Sequence, residues 1–478
     1  MTDTMTTLIP EDTREDAVLA TAALDELDEL EELRAGIRGR VTTPFDAEWD
    51  AARTPWALAV DQRPALVIHP ADAADVRTAV RFAARHGLRV APQGTGHNAY
   101  PLGDLSDTIL LRTDLMRGVE IEAERQSARV EAGVVWQEVV DAAAVHGLAA
   151  LAGSSADVGV VGYTLGGGVS WLARSHGLSA NSVIAAELVT GDGELRRVDD
   201  AHDPELFWAL RGGGGAFGVV TALEIRLFPL TEVYAGALFW PLERAEDVLH
   251  AWRAWTGDLP ASVMSAARVM RFPALPQVPE PMRGRAFVVI DAVLQEEPTI
   301  ADALLTPLRH LEPVMDTFTT TPIPQLSALH MDPPGPTPGL GDGTLLRTLD
   351  PETIDAFVRV ASGRDELLVA ELRVLGGALA PSAAGRREGG VVSGLDGRYL
   401  LFTGGLVLDA ESAQAVRSAV DELLDAVAPW RSDRDYLNFA EAAVPARRLF
   451  GDALPRLGEI KQRVDPRNLV RSNHPLGR

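Results

Sequence analysis

The chain contains no cysteine. That absence removes disulfides, thiolate zinc sites, Fe–S clusters and thiol nucleophiles together. Lysine is almost absent as well: Lys461 is the single one among 44 Lys and Arg. A nucleotide-binding loop of the Walker type needs lysine directly after its glycines, and none stands there. A pyridoxal Schiff base would have only Lys461 to use, in a charged, helix-like C-terminal stretch. The preference for arginine itself carries no functional reading. No run of 18 apolar residues occurs, so no transmembrane helix and no membrane partner are expected. No basic segment followed by an apolar one opens the sequence, so no secretory signal is read and the cytoplasm is the expected compartment. Positive charge is also short, with 44 basic against 68 acidic residues and a net charge of −24. Such a field repels phosphate backbones, so nucleic acid is not an expected partner.

What is present describes a globular protein: 46% apolar and 23% charged residues over 478 positions. This length suggests two or three folding units. The first 50 residues are strongly acidic, with 14 Asp and Glu against four Arg. Residues 1–20 read as disordered. Leu24, Leu27, Leu30, Leu33 and Ile37 then recur every three or four residues, as on a one-sided helix. The favoured reading is a cap packed on its own chain; docking on a second subunit, as in a homodimer, is the alternative.

Residues 64–230 alternate between strands and helices. Ala65 to Ile68 is an apolar run ended by Pro70. Asp72 opens a helix bearing Val76, Val80 and Ala83 on one face, and Gly87 closes it. Further strands are expected at 88–91, 108–111, 129–134 and 219–227, with a hairpin over 183–198 turning at Gly191-Asp192-Gly193. Asp203-Pro204 reads as an N-cap and first-turn proline. After Phe228-Pro229-Leu230 the texture changes to long strands such as 286–294 and 399–408 and helices such as 410–427. Two long loops are expected, at 273–285 and at 332–343; the latter has four Pro and four Gly in twelve residues. No repeat of fixed period is present.

Three glycine clusters fall at strand–turn–helix junctions. They are Pro92-Gln93-Gly94-Thr95-Gly96-His97-Asn98, then Gly153-Ser154-Ser155 running on to Gly166-Gly167-Gly168, then Arg211 to Gly218. Glycine admits a ligand close to the backbone and offers N–H groups to an anion. One such cluster is usually a tight turn. Three in one α/β region argue for a single extended ligand. None forms Gly-x-Gly-x-x-Gly with an acid about 20 residues on, so a Rossmann site fits poorly.

These stretches, with Gly159-Val160-Val161-Gly162-Tyr163, Trp171 to Leu178, Asp203 to Gly212, Phe217 to Thr221, Tyr436-Leu437-Asn438-Phe439 and Asp465-Pro466-Arg467-Asn468-Leu469, resemble the berberine-bridge-enzyme-like FAD-linked oxidases. That family lies within the vanillyl-alcohol-oxidase/PCMH superfamily. The resemblance covers about residues 55–478. It implies an α+β fold: a two-lobed PCMH-type FAD-binding module from residues 55–230 and 431–478. An inserted α/β substrate domain, 231–430, carries an antiparallel sheet. Residues 1–54 are an acidic extension outside the resemblance.

The resemblance also implies roles. His97 matches the histidine that bonds covalently to the flavin 8α-methyl; the alternative is a loop histidine that only hydrogen-bonds the cofactor. Ser155 stands where many members carry a second, cysteinyl link, so FAD here has a single link through His97 or none. Ser154 and Ser155 are expected to hydrogen-bond the flavin or pyrophosphate. Gly94, Thr95 and Gly96 offer backbone N–H groups to the pyrophosphate, with Asn98 closing that loop. Gly159 and Gly162 lie against the ring system, and Gly218 and Val220 near the adenosine half. Val158 stands where the family gates oxygen, which tilts toward an oxidase; a packing valine is the alternative. Tyr436, in Tyr-x-Asn, is the expected general base, activated by an arginine that the sequence does not identify. Tyr399 is the second choice, Tyr163 is placed within reach of the flavin, and Asn438 and Asn473 orient the flavin or the C-terminal lobe. His330 reads as a surface residue before a rim acid or base. No metal is expected. The implied reaction is two-electron oxidation of a hydroxyl-, hemiacetal- or amine-bearing carbon of a carbohydrate or natural product, with O2 as acceptor. A redox-neutral cyclase that keeps FAD for structure, and a non-catalytic binding module, are the alternatives.

Overall fold

The structure is a computed structural model and describes residues 27–276, 278–381 and 389–477. The expected disorder of residues 1–20, and Leu24 of the first helix, lie outside the described residues. The helix Leu27–Gly36 is present, and Leu33 and Ile37 are buried in one core cluster with Val76, Val80 and Ala83. Its apolar edge therefore docks on its own chain. That cluster is completed by the helix Ala73–His86, capped as expected: the Asp72 carboxylate accepts the N–H groups of Ala74 and Asp75, and Gly87 takes the left-handed φ of 70°. A residue with a Cβ pays a steric cost there.

Three sheets organise the chain around the site. In the first, Leu66–His69 and Arg89–Gln93 run parallel to Thr108–Arg112. Leu66–His69 is buried throughout, as strands of a covered parallel sheet are. The second is a five-stranded sheet that includes the hairpin Val183–Val189 with Leu195–Val198 and the strand Val219–Arg226. The third and largest, an eight-stranded antiparallel sheet, draws only on residues 232–406. Its central strands are Ala286–Leu294, Val263–Arg271 and Val369–Val374.

Side chains alternate between the two faces of that sheet. Ala267, Val269, Ile290, Leu372 and Leu401 pack in one cluster with residues of the helices Ala245–Thr256, Pro351–Gly363 and Ala410–Ala426. Their neighbours Arg268, Asp291, Glu371 and Arg373 therefore point the other way. The expected loop 332–343 is a loop only in its first half: Gly339–Leu346 is a strand paired with Tyr399–Leu406. Its glycines suit tight packing, because a Cβ at Gly343 would meet Phe439 and the Leu401 carbonyl within 3 Å.

The C-terminal segment returns to the first two sheets. Lys461, the only lysine, donates to the carbonyls of Ala216 and Val470 at 2.7 and 2.8 Å and pairs with Asp465 at 2.6 Å. Asp465 in turn accepts the N–H groups of Leu469 and Val470. The Asp-Pro-Arg-Asn-Leu motif is thus a side-chain-capped turn that clamps the third glycine cluster.

Candidate active site

The first and second glycine clusters meet residues 436–440. Asn98 donates from Nδ2 to the carbonyl of Ala440 at 3.2 Å, and Asn438 donates to the carbonyl of Tyr163 at 2.9 Å. Asn473 reaches the Asn98 carbonyl at 3.4 Å. A Cβ on Gly166 would overlap Asn438 at 1.7 Å, so glycine is required where this asparagine crosses the turn. Four other glycines face open space, whereas a Cβ on Gly96 would meet Pro55 at 2.7 Å. Nothing lies within 4 Å of a Cβ built at Gly162 or Gly215, and only atoms at 3.8 Å at Gly94 and Gly159. Gly218 differs: its Cβ would strike the Val189 carbonyl at 2.7 Å, so it serves strand packing. Val220 is buried in the adjoining core.

His97 sits in a built environment. Its ring stacks on Trp56 with centroids 4.0 Å apart and planes 17° apart. Nδ1 lies 2.7 Å from the Thr95 hydroxyl. Nε2 is buried, makes no hydrogen bond, and stands 3.3 Å from Oδ1 of Asp157. Asp157 also accepts from Trp56 Nε1 at 2.6 Å and from the Ser155 hydroxyl at 3.0 Å. Burial pushes this carboxyl up, but its contact with His97 and its bonds from Trp56 and Ser155 outweigh it and hold it at about 2. Asp157 was not among the residues expected from sequence. Ser155 serves it, rather than standing free for a ligand; Ser154 is half-buried on the same loop.

Tyr436 is buried. The backbone N–H groups of Gly168 and Val169 and the Asn438 amide all donate to its oxygen at 3.0 Å. Burial pushes the phenol up to about 12, against these three donors and the charge of Arg373. Arg373 is the arginine whose charge bears on this phenol. Its guanidinium lies 5.1 Å from the Trp171 ring and 5.9 Å from the Phe439 ring.

Arg373 belongs to a buried chain of charges on the inner face of the large sheet. It donates to Glu371 at 2.8 Å. The other Glu371 oxygen meets His330 Nε2 at 2.5 Å, and His330 Nδ1 meets Asp332 at 2.6 Å. Arg268, paired with Glu371 in strand register, donates to the His330 carbonyl at 2.7 Å and grips Asp291 at 2.6 Å. Burial and Arg268 push the His330 imidazole down, but Asp332 and Glu371 raise it to about 9. With His330 protonated, three cations face three carboxylates. His330 is therefore buried and not a surface residue. Only its place beside the Pro/Gly loop drew attention to it; the six charged residues come from four separate stretches of sequence.

Tyr399 does not join the site. It packs on the helix-facing side of the sheet, against Trp252, with its hydroxyl 3.0 Å from that of Thr256. The one-residue alternation of the strand puts Leu400, not Tyr399, opposite Arg373. Tyr163 is at the site, edge-on to Trp136, its buried hydroxyl without a partner.

A small, partly open pocket lies between these parts. Trp136, Val140, Trp171, Leu172, Ile323 and Leu326 give it apolar walls, and Gly153, Ser155 and Ser170 line one side. The indole N–H groups of Trp136 and Trp171 are buried without partners. Buried polar groups are normally paired. These unpaired donors, with the open space beside Gly94, Gly159 and Gly162, fit a flat, polar, anionic cofactor such as FAD.

The comparisons agree with this. Residues 64–199 match the family described as FAD binding domain, and residues 435–477 that described as berberine and berberine-like. (R)-6-Hydroxynicotine oxidase of Paenarthrobacter nicotinovorans is 37% identical over 205 residues, covering 43% of this chain and 45% of that protein. The FAD-linked oxidoreductase pgmH of Aspergillus terreus is 31% identical over 229 residues, 47% of this chain and 46% of that one. The matches thus span about half the length of these curated relatives. Among solved structures, Physcomitrella patens BBE-like 1 superposes with a TM-score of 0.83 at 18% identity, over 94% of this chain and 99% of that one. The 6-hydroxy-D-nicotine oxidase of Arthrobacter nicotinovorans gives 0.79 at 24%, over 92% and 98%. These two likenesses establish the fold.

Proposed function

We propose that this chain, which resembles the berberine-bridge-enzyme-like FAD-linked oxidases in sequence motifs and in fold, is an FAD-dependent oxidase. Residues 55–230 and 431–478 would form the FAD module, and 231–430 the substrate domain, with 1–54 a separate extension. The reaction is the two-electron oxidation of a hydroxyl- or amine-bearing carbon, with O2 as acceptor and hydrogen peroxide as product. His97 carries the single covalent link, since no cysteine exists to form a second. When bound, FAD supplies a ring nitrogen that accepts a hydride from the substrate carbon.

The chain's own part is to bind, orient and move one proton. Gly94, Thr95, Gly96, Gly159 and Gly162 present backbone to the cofactor in place of lysine. The observation that carries the catalytic reading is the convergence of three N–H donors on the Tyr436 oxygen. A neutral phenol oxygen has two lone pairs; three donors suit a phenolate. Arg373 adds positive potential. The phenolate takes the substrate proton as the hydride leaves the adjacent carbon. Because burial holds the phenol near 12, turnover is expected to rise from neutral to alkaline pH.

Purified protein tests this directly. It should be yellow and release peroxide on turnover in a peroxidase-coupled screen of cyclic amines and secondary alcohols. Tyr436→Phe should keep FAD and lose ~10²- to 10⁴-fold in kcat. Colourless protein that takes up no FAD would end the flavin reading. A Tyr436→Phe protein with wild-type kcat would end the base assignment.

A further inference from the structure

The outer face of the large sheet, opposite Arg373 and Glu371, carries ligating side chains that the proposed oxidation does not use. Glu246 and His250 stand on the helix Ala245–Thr256, and Asp355 on the helix Pro351–Gly363. The ligand atoms of all three lie within 4.8 Å of one another. We propose that Glu246, His250 and Asp355 form a binding site for a divalent transition metal of the zinc type, which ties the two helices together. This does not depend on the flavin reading.

The helical repeat brings the first two ligands together. Glu246 and His250 are four residues apart, so they stand one above the other on a single helix face. Asp355 comes from 105 residues further along the chain, with its Oδ1 2.8 Å from His250 Nε2. No spacing in the sequence signals this third ligand. The backbones that carry these groups are fixed from below. Leu249 and Trp252 of the first helix, and Ile354 and Phe357 of the second, are fully buried in one core cluster. The ligands themselves are accessible: the His250 side chain is 31% exposed and that of Asp355 57%. A metal can therefore enter from solvent and meet donors mounted on rigid elements.

The donor set selects the class of metal. One imidazole nitrogen with two carboxylates is a mixed set, unlike the all-oxygen shells of calcium and magnesium. Imidazole suits zinc, copper and nickel, and carboxylates complete such shells, with water in the fourth position. Tetrahedral bonds of about 2.0–2.1 Å hold ligand atoms roughly 3.3 Å apart. The His250–Asp355 pair therefore opens slightly, while the exposed Glu246 side chain swings in. Charge points the same way. Two carboxylates share this space, and a divalent cation turns their repulsion into attraction. The arginines that flank Glu246 in sequence are turned elsewhere: Arg244 pairs with Asp247 at 3.2 Å, and Arg253 reaches the Leu349 carbonyl at 3.5 Å. On binding, the proton between His250 Nε2 and Asp355 passes to solvent and the metal takes its place.

Zinc itself is the probe, and the full chain is the sample. Purified protein is stripped with a chelator, dialysed, and titrated with Zn2+ in competition with a chromophoric chelator. Wild type should take up one Zn2+ per chain, in the presence of excess Mg2+ as well as without it. His250→Ala should weaken binding at least ~100-fold, more than the loss of a group that only orients a ligand. Glu246→Gln and Asp355→Asn should each weaken it ~10-fold or more. Binding should fade on acidification, because imidazole ligates only in its neutral form. Saturating Zn2+ should raise the melting temperature of wild type, and not that of His250→Ala or Asp355→Asn. All three substitutions lie at the surface, and circular dichroism of each variant checks that the fold is kept. Wild type that takes up no stoichiometric Zn2+, or takes it up as tightly after His250→Ala, would overturn the site. Asp355→Asn with wild-type affinity and a wild-type melting shift would overturn the tie between the helices.

Discussion

Two regions of this molecule bury polar chemistry by opposite means. On the cofactor side, glycine turns bring backbone N–H groups and open space together within short stretches of chain. On the inner face of the large sheet, Arg268, Asp291, His330, Glu371 and Arg373 neutralise one another across strands that are far apart in sequence. The first arrangement is local, and its cost is conformational. The second is non-local, and its cost is desolvation, met only while every partner is present. The difference shows where each region is vulnerable. A glycine turn degrades in its affinity for a ligand, whereas a charge chain degrades as a fold.

The largest effect should therefore come from Glu371, which joins His330 to Arg373. Glu371→Gln leaves two buried cations facing one another through a neutral amide. We expect a loss of about 3–5 kcal/mol in unfolding free energy, the range for breaking a buried pair on one side. Chemical denaturation of the holoprotein measures it. Replacing Glu371, His330 and Arg373 together by apolar residues should be far milder than Glu371→Gln alone. If the triple variant is the worse of the two, the chain is not held by mutual neutralisation.

A smaller and graded effect follows from pH. The His330 imidazole is raised to about 9 in the fold by Asp332 and Glu371, against burial and the charges of Arg268. A raised cationic group stabilises the fold fully below its unfolded value, near 6.5, and that contribution is lost as pH climbs through about 9. Glu371 and Asp332 are lowered, Glu371 by Arg373 and His330 and Asp332 by His330, each against burial. Their contribution is present above the ordinary carboxylate range and fades below it. Melting temperature should thus be flat between roughly pH 4.5 and 6.5 and fall on the alkaline side. His330→Gln should lower the plateau and flatten the alkaline limb. An unchanged limb in that variant would place the titration elsewhere. Turnover rising with pH through Tyr436, while stability falls through His330, would separate the two regions in one experiment.

The same contrast explains what could be read from the sequence. The glycine clusters, Asp72 and Gly87 as caps, Asp203-Pro204, Tyr436 with Asn438, and the alternating strands were legible because each is written within a few adjacent residues. The charge chain was not. Arg268, Asp291 and Glu371 are isolated acids and bases in otherwise apolar strands, and only sheet register makes Arg268 face Glu371. A signal did exist: a charged residue inside a strand as apolar as Ala286–Leu294 must find a partner. Tyr399 failed for the related reason that a strand residue and its neighbour point to opposite faces. Which face meets the cofactor is a tertiary fact. Asp157 was overlooked beside Ser155 because its partners, Trp56 and His97, arrive from elsewhere in the chain.

The smallest expected change is also the one that isolates the cofactor side. Gly162 lies inside the helix Val160–Leu165, and a Cβ there meets nothing within 4 Å. Helix propensity alone makes Gly162→Ala neutral or stabilising in apoprotein, by up to ~1 kcal/mol. Contact with a bound ring system makes the same methyl group unfavourable in holoprotein. Gly162→Ala should thus raise or preserve the melting temperature without FAD, and weaken FAD binding in the non-covalent background of His97→Ala. Gly166→Ala is the counterpart, since its Cβ would displace Asn438 and so disturb Tyr436 even without ligand. If Gly162→Ala binds FAD as tightly as its parent, the open space beside this glycine is not the cofactor's. The cradle would then be confined to Gly94, Thr95, Gly96 and Gly159, whose backbone the substitution leaves alone.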